Sequence, residues 1–288
     1  MNQSAAHARD DANTGASRQI ERTVALEPGG SLAVHTFKGL VEVEAWDRPE
    51  VEIHAEIRPP KGVSESYGRE TVEKTELVVE DDGAALRVAV DSSEVPYDEN
   101  ARWRLSGWRP VKRNKAVPEV RLRIRAPRRL SLRFEDFKSR LVVRGFEGDL
   151  EVQTFKSTVH LADLDGTVAW HDHKGSLRLE GHRGSLGAQS KGGKVEAGFR
   201  ELRGESSIGV GKGTAALTLP AAQAFRFSGS RGKRSSYHGG FDLGAPWKAG
   251  DSVEVDLGAE AGAAAPATGE MPRVSVQVGQ GSVRLERR

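Results

Sequence analysis

The stretch Leu150-Glu151-Val152-Gln153-Thr154-Phe155-Lys156-Ser157-Thr158-Val159-His160-Leu161 decides the fold. It reads apolar-x-apolar-x-small-x-Lys-[Gly/Ser]-x-apolar-x-apolar. Two strands of period-2 alternation meet at a corner where the phase slips by one residue. The template recurs upstream at 132–143 and downstream at 168–179 and 186–197, with looser copies centred on Lys212-Gly213 and Arg231-Gly232. The lysine slot therefore falls at 138, 156, 174, 192, 212 and 231, with Gly192 and Arg231 in place of lysine. A second turn recurs between these corners at Glu147-Gly148, Asp165-Gly166, Arg183-Gly184 and Arg203-Gly204. Six copies in register exceed what chance supplies. Each repeat of about 18 residues holds two β-segments closed by glycine-containing corners.

A coil of that length cannot bury its inward apolar row alone. Stacking coils at the strand spacing of about 4.8 Å pairs their backbones and builds a continuous narrow core. The expected fold is all-β: a stacked parallel β-coil, β-helix- or β-roll-like, with an N-terminal β-region. Single copies of the template stand near both ends, at 32–43 and 274–285, and terminal coils need caps against edge pairing. Further strand-like runs lie at 51–57, 76–79, 86–90 and 120–124, and only 64–74 hints at a short helical turn. The organisation read from these runs is a polar, disordered tail over 1–20 and a β-region over 21–126 carrying a basic, Trp-containing loop at 94–118. The repeat array follows over 127–288. Composition marks 258–269, rich in Gly and Ala, as a flexible loop.

Lys plus Arg number 43 against 41 Asp plus Glu, a net charge of +2, so bulk charge gives no argument for nucleic acid. Thirty-three glycines with only 6% aromatic residues suit many short strands and tight turns. With no cysteine, disulfides, thiol chemistry and Cys-ligated zinc are excluded. No apolar run is long enough for a transmembrane helix. The first 20 residues lack an apolar h-region, so the chain as it stands shows no signal peptide. Ala6-His7-Ala8 does match a cleavage tripeptide, though such tripeptides are common by chance.

The alternating strands, the corner chemistry and the Arg125-Ala126-Pro127 entry to the array resemble the bacterial "putative adhesin" β-strand-repeat family of unknown function, over roughly 22–285. The resemblance implies a toast-rack or β-helix-like fold, a non-catalytic binding or scaffold role and a setting in the cell envelope, and it brings no catalytic residues. Family corners usually carry a small Ser where this chain has Lys38, Lys138, Lys156, Lys174 and Lys212.

That lysine column is the most distinctive candidate site. Stacked coils would bring its ammonium groups together at about 0.5–0.8 kcal/mol per pair in water. A ligand such as an anionic glycan or other polyanion would offset that repulsion, with Lys138, Lys156 and Lys174 as the binding residues. The plainer reading has the lysines splayed into solvent and paired with Asp136 and Asp172, as charge rows usually are. Beside them run Phe37, Phe137, Phe155 and His173; a buried ladder is expected, because exposed Phe rows invite aggregation. If exposed, the rings would make a stacking-plus-charge surface. Trp103, Trp108 and Arg109 in the basic loop are further binding candidates, either as a lid for an anionic partner or as an apolar flap over one coil end.

Catalytic signals are poor. His171-Asp172-His173 lacks a third metal ligand at a repeat position, and Gly209–Thr214 resembles a phosphate loop only until the absence of a following helix is noted. No cofactor and no metal is expected, and the chain is read as a non-enzyme. The alternatives are a polysaccharide-active enzyme on a β-helix, which would need a cleft with paired carboxylates, and a self-assembling protein that oligomerises through coil ends.

Overall fold

The computed structural model of the chain describes residues 17–96, 116–244, 246–257 and 270–288. They form sixteen strands and one helix: β1 (Arg18–Ala25), β2 (Ser31–Trp46), β3 (Glu50–Arg58), α1 (Glu65–Glu73), β4 (Glu76–Asp81), β5 (Ala85–Asp91), β6 (Glu119–Pro127), β7 (Ser131–Arg144), β8 (Leu150–Thr154), β9 (Thr158–Ala162), β10 (Asp165–Asp172), β11 (Ser176–Ser190), β12 (Gly193–Leu202), β13 (Glu205–Leu219), β14 (Phe225–Gly239), β15 (Ser252–Leu257) and β16 (Arg273–Arg287). The class is all-β.

Residues one repeat apart are direct backbone partners in parallel ladders. Leu132 pairs Leu150, Leu150 pairs Val168, and Val168 pairs Leu186. Beyond the corner, Leu141 pairs Val159 and Val159 pairs Leu177. Because β7 and β11 run through corners and serve two faces each, the pairings β7–β8–β10–β11–β9–β7 close on themselves as a five-strand parallel barrel. Inward residues from successive strands fill its interior: Phe134, Val152 and Trp170 lie side by side and almost fully buried, as do Leu141, Val159 and Leu177. Period-2 alternation thus becomes one elongated core.

Chain order and spatial order part company at both ends. The template copy in β2 pairs β7 along Ser31–Glu44, while its other edge takes β5 and then β6. At the far end β16 lies between β13 and β14, so the neighbour of Lys212 is Gln280 rather than a residue near Arg231. Equal spacing in sequence carried no information about that insertion.

Antiparallel strands finish the sheet at its two ends, β1 on β3 and β15 on β14. β1 starts inside the span expected to be a tail, because Ile20 and Val24 have core positions to fill. Over the β14 end, Phe241, Leu243 and Trp247 are buried. Arg231, only 6% exposed, donates hydrogen bonds to the carbonyls of Ser235 and Trp247 and lies 5.1 Å from the Trp247 ring, which fastens that cover. The segment 64–74 forms the full helix α1 rather than a turn. Ser64 Oγ accepts the Tyr67 N–H as an N-cap, Glu65 sits in the first turn, and Tyr67 and Val72 are buried. The loop at 258–269 lies outside the described residues.

Candidate functional site

The corner of each repeat is built from four consecutive residues. In the repeat of β7 the order is Asp136 partly inward, Phe137 and Lys138 both exposed, and Ser139 buried. Two successive outward residues are the physical form of the phase slip: strand alternation would have sent one of them into the core.

Inside the corner, the Asp136 carboxylate accepts the Ser139 N–H at 2.7 Å, the Ser139 hydroxyl at 2.5 Å and the Ser157 hydroxyl of the next repeat. Two repeats on from Asp136, Asp172 accepts the Thr154 hydroxyl at 2.7 Å and the Gly175 N–H. These carboxylates hold the turn and do not reach the lysines, contrary to the Asp136–Lys and Asp172–Lys pairing the sequence suggested. Burial pushes the Asp136 carboxyl above its ordinary value, with the serine hydrogen bonds pulling the other way. A carboxyl raised on folding stabilises the native state fully below its unfolded pKa and loses that contribution as pH rises through the folded value. Stability should therefore fall across the window just above the usual carboxylate range, and Asp136→Asn should remove that step. Urea midpoints of both proteins over a pH series check this; parallel profiles would contradict it.

Outside the corner, backbone bonds tie one repeat to the next. Lys156 N–H donates to Phe137 C=O, Lys174 N–H to Phe155 C=O and Gly192 N–H to His173 C=O, each at 3.0 Å, and Lys38 stands opposite Lys138 in the ladder. Lys138, Lys156 and Lys174 are therefore brought into one exposed column. Among the described residues, no carboxylate lies within 4.0 Å of the ammonium groups of Lys38, Lys138, Lys156 or Lys174. The nearby Glu135 is taken up by His35 at 3.1 Å and Arg133 at 3.0 Å.

The aromatic row is a ladder, but not a buried one. Phe37, Phe137 and Phe155 are 42%, 40% and 36% exposed. Ring centroids from Phe37 through Phe137 and Phe155 to His173 are 4.8, 5.0 and 4.8 Å apart, with planes within 8° of parallel. The expectation of burial rested on the phase change and on the aggregation hazard of exposed Phe rows; the phase change instead turns the lysine outward and leaves the ring outward too. The Lys156 ammonium lies 5.5 Å from the Phe155 ring centre. Further along, Lys191 and then Gly211 take the aromatic slot, so the ladder stops at His173.

At the Phe37 end the chain leaves β5 after Asp91 and returns at Glu119 in β6, both strands flanking β2. Trp103, Trp108 and Arg109 belong to the intervening segment and lie outside the described residues. His173 is engaged in the ladder, and among the described residues no three His, Asp or Glu side chains converge as a metal would require. Gly209–Thr214 lies within β13, takes the corner at Gly213, and leads into further strand and not into a helix. Asp163 and Asp165 are bound by Arg200 and Arg203 at 2.7 and 2.6 Å.

One feature escaped the sequence reading. The outward face of β1, β3, β6, β2 and β7 forms a cleft of about 590 Å³. In it, His54 lies between Glu21 and Glu52 at 3.0 and 2.7 Å, and Arg123 meets Glu42 at 3.3 Å. His54 meets Glu21 across the antiparallel pair of β1 and β3, and Arg123 meets Glu42 across the parallel pair of β6 and β2.

No protein-family model matches the chain, and no curated protein matches it. Similar solved structures include a "putative cell adhesion protein" from Clostridium sporogenes at 10% identity, covering 94% of this chain and 100% of that one with a TM-score of 0.35. A "putative adhesin" from Bacteroides fragilis, at 13% identity, covers 93% and 96% with a TM-score of 0.42. A "putative lipid binding protein" from Parabacteroides distasonis, at 12% identity, covers 93% and 96% with a TM-score of 0.27. Likeness at this level assigns no function.

Proposed function

We propose that the chain is a non-catalytic binding module, a stacked β-coil whose corner column holds an anionic glycan or other polyanion. The parallel registers that place each repeat beside the next support the coil reading. One observation carries the functional reading: a file of lysines that meets no carboxylate among the described residues, held at strand spacing beside exposed rings. Repulsion along that file is tolerated without an internal partner, and an external polyanion would relieve it at several points at once. Lys138, Lys156 and Lys174 are the contacts, with Lys38 extending them. An envelope setting is the one that the family resemblance implies.

Replacing Lys138, Lys156 and Lys174 together by Gln should abolish retention on an acidic polymer such as polygalacturonate, measured at moderate salt. The thermal unfolding curve should stay unchanged, because all three side chains are exposed. Retention equal to that of the unaltered protein would reject the column as the site.

A further inference from the structure

The geometry of the ladder narrows the kind of polyanion. Each interior ring of Phe37–Phe137–Phe155–His173 has a neighbour within 5.0 Å on either side and nearly parallel to it, so the ring faces are turned on one another. What reaches solvent is the rim of each ring, the C–H edge that carries the positive side of the aromatic quadrupole. Sugars and bases are gripped by ring faces, and along this row none is free except at its two ends. A stacking platform for glycan residues, which the sequence suggested for exposed rings, is thus not what the ladder offers along its length.

The rims do offer an apolar edge. Three phenyl rings, each about two-fifths exposed, stand at a corner where successive residues both point outward. The residue after each ring is a lysine, so an apolar row and a cationic row run side by side at the same spacing. Of the two acids of β7 beside the corner, Asp136 is held by Ser139 and Ser157 and Glu135 by His35 and Arg133. A soluble polyanion would use the lysines and leave the phenyl rims wet. A surface that is anionic outside and apolar beneath would use both: ammonium groups at the phosphates, phenyl rims at the acyl boundary.

We propose that this corner docks on an anionic lipid bilayer, with Phe37, Phe137 and Phe155 dipping into the interface and Lys38, Lys138, Lys156 and Lys174 meeting lipid phosphates. The inference rests on the reading of the corner as the anion-binding face and names its partner. Contact through one row is shallow and reversible, and it weakens as salt rises.

The test is sedimentation of the full chain with vesicles of phosphatidylcholine containing phosphatidylglycerol, with phosphatidylcholine vesicles alone and with soluble polygalacturonate run beside them. Binding to the anionic vesicles and not to the neutral ones is expected, with about a fivefold loss for each lysine replaced by Gln. The variant with Phe37→Ser, Phe137→Ser and Phe155→Ser should lose at least about tenfold in vesicle binding while keeping its affinity for polygalacturonate. Phe155→Trp, which keeps an aromatic ring in the ladder, should shift its emission to shorter wavelength on anionic vesicles and not on the soluble polymer. Binding to polygalacturonate without binding to anionic vesicles would overturn the bilayer and leave the anion-binding face standing. Failure to bind either would overturn both. Vesicle binding indifferent to the serine substitutions, with no shift from Phe155→Trp, would overturn the docking geometry.

Discussion

Val152→Asp is expected to abolish cooperative folding. Val152 has no exposed surface and lies between Phe134 and Trp170, its partners in the two flanking ladders and themselves among the largest fully buried side chains. A carboxylate placed there would have neither water nor a cation, and the narrow core offers no route by which it could turn outward. The expected loss is at least about 4 kcal/mol, from the unpaired charge and the disturbed packing together. Val152→Ala, which removes volume without adding charge, should cost only about 2 kcal/mol. Urea denaturation followed by circular dichroism separates the two. A Val152→Asp protein that unfolds cooperatively near the original midpoint would mean that this position is not inside the core.

Gly213→Ala carries the second large effect. Gly213 has φ of +148°, and a Cβ there would fall 1.7 Å from the carbonyl oxygen of Gly193, its ladder partner. Gly281, on the other side, makes the same approach to Gly213. The methyl group would have to push against backbone, not against a side chain able to swing away, so neighbouring strands must separate locally. A loss of about 3 kcal/mol or more follows from the clash added to the strained backbone. Gly62 has φ of +79° and nothing within 4 Å of a Cβ, so Gly62→Ala isolates the conformational part and should cost about 1 kcal/mol. Equal unfolding midpoints for the two variants would remove close approach as the reason for glycine in the corner.

The inward rows were legible from sequence because alternation and repeat period agree. Leu150, Val152, Val159 and Leu161 are read as inward from one template and are all buried. The corner was legible as a position and less so as a shape. A phase slip shows that alternation fails near Phe155-Lys156, yet it does not say whether the extra residue goes in or out; the inward Asp136, with its serine partners, leaves only the outward side for Phe137 and Lys138. The helix α1 was nearly invisible, since nine residues give too few turns for a periodic signal and its stability depends on Tyr67 and Val72 finding the core. The charged cleft lay beyond reach for a different reason: which acid meets which base is set by how β1, β3, β6 and β2 pair, and those registers are tertiary facts. Trp103, Trp108 and Arg109 stand where sequence left them.

The wedging of β16 between β13 and β14 bears on how the molecule is made. A growing chain emerges N-terminus first, and the repeats from β7 to β13 can zip together in the order in which they appear. β14 cannot take its final seat, which is on β16, until residues 273–287 are translated, and those same residues fill the β13 edge. Until those residues emerge, the β13 edge is an unsatisfied template and β14 a tempting wrong guest for it. Assembly at this end therefore waits on β16, and a ribosome that stalls before it would release a protein with an adhesive open seam.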